Sequence, residues 1–128
     1  MVKVKALSVH NGHAKPWASL IAMASKTIEV RSWETSHRGL LLIAATQKPE
    51  GPFNGMAACL VRLADTRPMQ MLDSQFSLCD YAPGLFAWKV ELLKDLRHYK
   101  FPIKGQQGLF TVTIPDLFMP LSHRDHYF

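Results

Sequence analysis

The chain has 128 residues, a formal net charge of +5 and 48% hydrophobic residues. That length suits one domain with one core, and that composition excludes a disordered chain. The longest strictly apolar run, residues 40–45, is far short of the roughly 20 residues a membrane-spanning helix needs.

Lys3 and Lys5 interrupt the N-terminal segment and no apolar stretch follows, so it does not read as a signal peptide. Cys59 and Cys79 are the only cysteines, as expected of a cytoplasmic protein with two free thiols. The charge is modest, enough to permit polyanion binding without demanding it. Its distribution is uneven. Residues 1–40 hold Lys3, Lys5, Lys15, Lys26, Arg31 and Arg38 against Glu29 and Glu34, and the remainder is nearly balanced.

Residues 2–9 are rich in β-branched and apolar side chains and read as a first strand. Residues 10–13 form a turn, and Pro16 then suits the first position of a helix ending near Ser25. Trp17, Leu20, Ile21 and Ala24 give that helix one apolar stripe. Residues 27–33 alternate, with Ile28, Val30 and Ser32 on one face and Thr27, Glu29, Arg31 and Trp33 on the other. Residues 39–46 are continuously apolar, as a strand buried on both faces would be. A loop with Pro49, Gly51 and Pro52 follows. Residues 55–65 alternate again, with Ala57, Cys59, Val61 and Leu63 on one side. Residues 69–76 suit a short helix. Phe86, Trp88, Val90 and Leu92 face inward from a strand over 85–93, and Phe110, Val112 and Ile114 from a last strand over 109–114. Residues 122–128 read as a C-terminal tail after a domain of residues 1–121. Six strands with one early helix argue for a mainly β, closed or nearly closed barrel.

Four stretches together resemble the ASCH domain family, in the form of its small stand-alone prokaryotic or phage members. They are Ala6-Leu7-Ser8; Lys15-Pro16-Trp17-Ala18-Ser19-Leu20-Ile21; Lys26-Thr27-Ile28-Glu29-Val30-Arg31-Ser32-Trp33 followed by Arg38-Gly39-Leu40-Leu41-Leu42-Ile43-Ala44; and Gly84-Leu85-Phe86-Ala87-Trp88 with Lys104-Gly105-Gln106-Gln107-Gly108-Leu109-Phe110. Each is weak alone, and their order and spacing over residues 4–114 carry the match. The resemblance implies a PUA-like β-barrel with a cleft beside the first helix, and binding of RNA or modified nucleobases. Some relatives are amidohydrolases that deacylate N4-acylcytidine, and one group is described as ribonucleases. The chain departs from the family pattern at Lys15, where a Gln is usual, and in the longer loop of residues 11–14.

Glu29, Arg31 and Trp33 on one strand face make sense if that face opens into a cleft. Arg31 offers a planar fork for a phosphate or a base edge, and Trp33 a stacking platform. Glu29 could accept from an exocyclic amine or hold Arg31. Lys26 sits where a cation reaches a phosphate or a carbonyl. The bland alternative is a solvated strand face with a weak ion pair. At the helix start, Lys15 is a poor N-cap and a good phosphate partner, and Ser19 lies one step off the apolar stripe. Trp17 reads as core. Gly105-Gln106-Gln107-Gly108 lacks the flanking helices of a KH loop and reads as a turn, with Lys104 at its edge. The His10–His13 and His123–His126 pairs are too few for zinc, so neither metal nor cofactor is expected.

The leading expectation is a module that binds RNA, single-stranded nucleic acid or a modified nucleoside through Lys15, Ser19, Lys26, Glu29, Arg31, Trp33, Arg38 and Lys104. The second is an amidohydrolase. The related enzymes read Lys-Thr-apolar-Thr, with the Lys as base, the second Thr as nucleophile and a distant Glu completing the site. Here Lys26 matches, Glu29 replaces the nucleophile and could activate a water, and Asp73 is the nearest distant acid. Ribonuclease chemistry in the same cleft is a further variant, without a diagnostic histidine pair. A protein-interaction adaptor stands as the last reading.

Overall fold

A computed structural model describes residues 1–121; the expected tail, with its His123–His126 pair, lies outside the described residues. The strands are β1 (Val2–Val9), β2 (Ile28–Arg31), β3 (Gly39–Ala45), β4 (Ala57–Pro68), β5 (Phe86–Asp95) and β6 (Leu109–Ile114). They form one sheet in the order β2-β5-β4-β3-β1-β6. The pairings are antiparallel except β1 with β3, which run parallel. The sheet curls into a half-barrel of the expected PUA-like class. Register shifts between Leu60 and Val61, between Leu63 and Asp65, and between Ile43 and Ala44 mark bulges. Each bulge bends its strand and increases the local twist.

The alternation read from the sequence decides which side chains go inside. Leu7, Leu41, Ile43, Val61, Leu63, Trp88 and Val90 fill the concave face. Val4, Ala6, Leu42, Leu60, Phe110 and Ile114 pack on the other, beneath Leu96, Ile103, Phe118 and Met119. The sheet is therefore buried on both faces, with two large apolar clusters and a small third one of Ile28, Met69 and Ala87 where one core was expected. Trp88 is fully buried, and its indole N–H donates to the Trp33 carbonyl at 3.0 Å. Truncation of such a side chain to Ala costs roughly 3–5 kcal/mol. Ala57 falls into the outer cluster, because the bulge beside Ala44 lets Ala58 take the inner position.

Helix α1 (Trp17–Ala22) is shorter than the expected 16–25 span. Ala24 adopts a left-handed φ of 60°, and the Ser25 and Lys26 N–H groups both turn back onto the Leu20 carbonyl. Its buried face is Ala18, Ser19, Ile21 and Ala22, not the stripe that included Leu20 and Ala24. The ambiguous stretch after β4 becomes a 3₁₀ turn (Met71–Asp73) and helix α2 (Ser74–Ser77). No helix among the described residues is long and apolar enough to cross a membrane.

Candidate nucleic-acid interface

Strand β2, at one end of the curled sheet, meets β1, the strand next to the other end, at one point. Pairing of β6 with β1 stops at Leu7, opposite Leu109, so the β1 edge is open from Ser8 onward. The Arg31 guanidinium reaches across from β2 and donates through Nη1 to the Ser8 carbonyl at 3.2 Å. A cleft of about 610 Å³ opens there. Its walls are Ser8 and His10 of β1 and the turn after it, Glu29 and Arg31 of β2, and Trp17 of α1. The loops bring Thr46, Gln47, Cys79, Ile103, Gln106 and Gln107. Such a volume lies in the ordinary range for small-ligand sites, with apolar walls and a few convergent polar groups.

Arg31 is held in one pose. The same Nη1 also donates to Glu29 Oε2 at 3.3 Å. Both hydrogens of that nitrogen are therefore used, and Nε and Nη2 have no hydrogen-bond partner among the described residues. The side chain is 26% exposed and lines the cleft, and its guanidinium carbon lies 5.8 Å from the centre of the Trp33 ring. Glu29 is buried and fixed from three sides. Its Oε1 accepts from the Val30 N–H at 3.2 Å and lies 3.5 Å from Lys26 Nζ. Lys26 stands behind it, with no exposed side-chain surface. Its ammonium donates to the Ser77 carbonyl, lies 3.7 Å from Cys79 Sγ and sits 4.8 Å from the centre of the Trp17 ring. Two cations thus flank one carboxylate, leaving a net positive charge beneath the cleft floor.

The helix start differs from expectation. Ser19 faces away from the cleft. Its hydroxyl accepts from Asn11 Nδ2, and its backbone N–H donates to Asn11 Oδ1, both at 2.9 Å. Asn11 is fully buried and also donates to the Pro52 carbonyl. The Trp17 and Ala18 N–H groups are taken by the Lys15 and His10 carbonyls. The first turn of the helix therefore has no free donors for a phosphate, and Lys15 is an exposed residue beside Trp17. Asn11 also ties α1 to the loop that supplies the opposite wall. Gly51 allows this approach, since a Cβ there would sit 1.9 Å from the Asn11 carbonyl oxygen.

The other expected residues are scattered. Trp33 lies past the end of β2 and packs edge-on against Trp88, ring centres 4.8 Å apart; it does not line the cleft. Trp17, expected in the core, is half-buried: it packs against the inner apolar cluster and also supplies an aromatic wall of the cleft. Arg38 ties down the connection to β3, donating to the Thr35 and His37 carbonyls and to Thr66 Oγ1. Asp73 is buried away from the cleft in a two-pronged pair with Arg67, both contacts 2.7 Å. Arg67 holds the Asp73 carboxyl below its ordinary value. Lys104 is exposed between Ile103 and Gly105, which both line the cleft. The free thiols also differ: Cys79 borders the cleft, whereas Cys59 is buried and its thiol is pushed up by desolvation. Among the described residues no three His, Cys, Asp or Glu side chains converge on a metal position.

The family model of the ASCH domain matches residues 12–102. The chain belongs to the ASCH domain family. The match spans the helix, the Lys26–Arg31 segment and strands β2 to β5, and leaves out β1 and β6. Activating signal cointegrator 1 from Homo sapiens is 54% identical over 46 residues, and its Mus musculus counterpart 52%. That stretch covers 36% of this chain but only 7% of either cointegrator. Crystal structures of two mutant forms of ZmASCH from Zymomonas mobilis superpose with TM-scores of 0.57 and 0.56 at 12% and 11% identity. Both cover 85% of this chain, and 89% and 87% of their own. Identity that low establishes the shared fold of an ASCH domain and nothing finer.

Proposed function

We propose that this ASCH domain is a binding module for single-stranded RNA, with one nucleotide, standard or modified, seated in the cleft. The observation that carries the reading is the state of Arg31. One terminal nitrogen is committed to Ser8 and Glu29, and the Nε/Nη2 fork of this part-exposed, cleft-lining side chain has no hydrogen-bond partner among the described residues. A fixed guanidinium fork suits a phosphate or the acceptor edge of a guanine-like base. Trp17 offers a ring at the wall, and Gln47, Gln106 and Gln107 offer amide donors and acceptors. Stacking on an aromatic and hydrogen bonding to unstacked base edges is the usual way single-stranded RNA is read. Lys15 and Lys104, exposed and close in sequence to the cleft-lining Trp17 and Ile103, suit the flanking phosphates.

The amidohydrolase and ribonuclease readings need Lys26 to meet a substrate. Its ammonium is buried and engaged by Ser77, Glu29 and Cys79. Glu29 reaches the cleft, but both its oxygens already accept from protein donors. This supports a binding role for the site.

Tryptophan fluorescence tests the proposal. Titration of the parent protein with a single-stranded RNA should quench emission saturably, and Trp17→Leu should remove most of that quenching. Binding with no fluorescence change, or quenching untouched by Trp17→Leu, would move the ligand out of this cleft.

A further inference from the structure

A second feature of the surface carries positive charge without belonging to the cleft. Residues 94–104 contain Lys94, Arg97, Lys100 and Lys104, with His98, against the single acid Asp95. Arg97 neutralises that acid through paired contacts as short as 2.7 Å. Lys94 donates to the Leu117 carbonyl. Lys100 and Lys104 are exposed and have no ion pair among the described residues.

The same segment presents rings at its surface. His98 is exposed and lies against Tyr99, ring centres 4.1 Å apart and tilted by 36°. Tyr99 lies on Phe118 at 4.4 Å, and Phe118 meets Phe101 edge-on at 5.1 Å. Phe118 belongs to the outer apolar cluster. The rings therefore form a stack that is rooted in the core and ends in solvent at His98.

This surface is joined to the cleft by the backbone. Residues 101–103 run beside β4, where the Ala57 N–H donates to the Phe101 carbonyl and the Ile103 N–H to the Gly55 carbonyl. Gly55 and Ile103 both line the cleft. From Lys100 to Lys104 an extended chain spans at most about 14 Å. At a rise of about 3.4 Å per stacked base, that is on the order of four nucleotides.

We infer that His98 and Lys100 form a second nucleotide subsite, for an RNA residue a few positions along the strand from the one in the cleft. Its base stacks on the outer face of the His98 ring, and Lys100 and Lys104 meet the intervening phosphates. The inference rests on the proposed RNA-binding reading of the cleft and adds a direction for the strand, over the 98–104 edge.

The test compares a mononucleotide with a single-stranded RNA hexamer by calorimetry and by fluorescence anisotropy at several salt concentrations. The parent protein should bind the hexamer at least about tenfold more tightly than the mononucleotide. His98→Ala and Lys100→Ala should each remove most of that gain and leave mononucleotide affinity unchanged. Lys100→Ala should also flatten the log–log salt slope by about 0.7, the value of one phosphate contact on a single strand. His98→Phe, which keeps the ring, should retain the gain. Equal affinity for the two ligands, or a hexamer affinity and salt slope indifferent to both alanine changes, overturns the subsite. Arg31→Ala separates the two claims. If it leaves both ligands bound as before while His98→Ala weakens the hexamer, the cleft reading fails and the subsite stands.

Discussion

The Lys26 ammonium lies 3.5 Å from the Glu29 carboxylate, with the lysine side chain fully enclosed and the carboxylate almost so. This pair is the foundation of the cleft floor, because the same carboxylate holds Arg31, and Arg31 closes the half-barrel onto Ser8. Removing one partner of a buried pair leaves the other charge uncompensated.

Lys26→Met should therefore destabilise the protein. Glu29 keeps Arg31 and the Val30 N–H, so the loss belongs at the low end for a broken buried pair, about 3 kcal/mol. In a domain of this size that lowers Tm by roughly 10 °C. Differential scanning calorimetry reads it directly, and a melting temperature equal to that of the parent protein is incompatible with the pair's stabilising role.

Asn11→Ala should cost stability and binding together. It leaves the Ser19 N–H and hydroxyl and the Pro52 carbonyl without their buried partner, a loss of roughly 1–3 kcal/mol for each unsatisfied group. It also frees α1 from the loop that carries Thr46 and Gln47. Urea unfolding and RNA titration on one preparation should show both effects; a stable variant with unaltered affinity would show that Asn11 does not organise the site.

Much of this was legible in the sequence, for identifiable reasons. Period-two alternation placed β2, β4, β5 and β6, apolar and β-branched runs placed β1 and β3, and the alternation put Glu29 and Arg31 on one face, where both line the cleft. Helical spacing was less informative. Ser19, expected at the cleft, is turned away because Asn11, read only as a turn residue, takes its hydroxyl and N–H, while Trp17 packs on the inner cluster and also lines the cleft. Trp33 was placed by extending the alternation two residues past the end of β2. The Asp73–Arg67 pair had a local signal, Gln70 three residues before Asp73, which forms a reciprocal cap on the 3₁₀ turn. The basic surface of 94–104 was hidden by summing charge over the long remainder of the chain. The contact of Arg31 with Ser8 has no sequence signal, since it depends on how far the sheet curls.

Acid should weaken the fold through the Arg-paired carboxylates. Arg67 lowers the Asp73 carboxyl and Arg97 the Asp95 carboxyl from their ordinary value of 3.8. A depressed folded-state value means that the unfolded chain binds protons first. The stabilisation is thus fully present above the ordinary value and is lost as pH falls below about 4 toward the folded values. Asp73→Asn should lower the urea midpoint at neutral pH and make the decline below pH 4 shallower. An acid limb of unchanged steepness would place the titrating groups elsewhere.

Incubation with N4-acetylcytidine at high protein concentration should give no acetate, because the Lys26 ammonium is enclosed and Glu29 is occupied. Acetate release that disappears in both Lys26→Ala and Glu29→Gln would instead establish the amidohydrolase reading.

The decisive measurement is the affinity of single-stranded RNA for the parent protein, Arg31→Ala and Arg31→Lys, taken under one buffer and salt condition. Loss of a two-pronged contact should weaken binding by about 1–3 kcal/mol, roughly five- to 150-fold, in Arg31→Ala. Arg31→Lys should not restore it, because an ammonium cannot hold Ser8 and Glu29 while offering a planar fork. Equal affinities for the three proteins would contradict the assignment of this cleft as the RNA site.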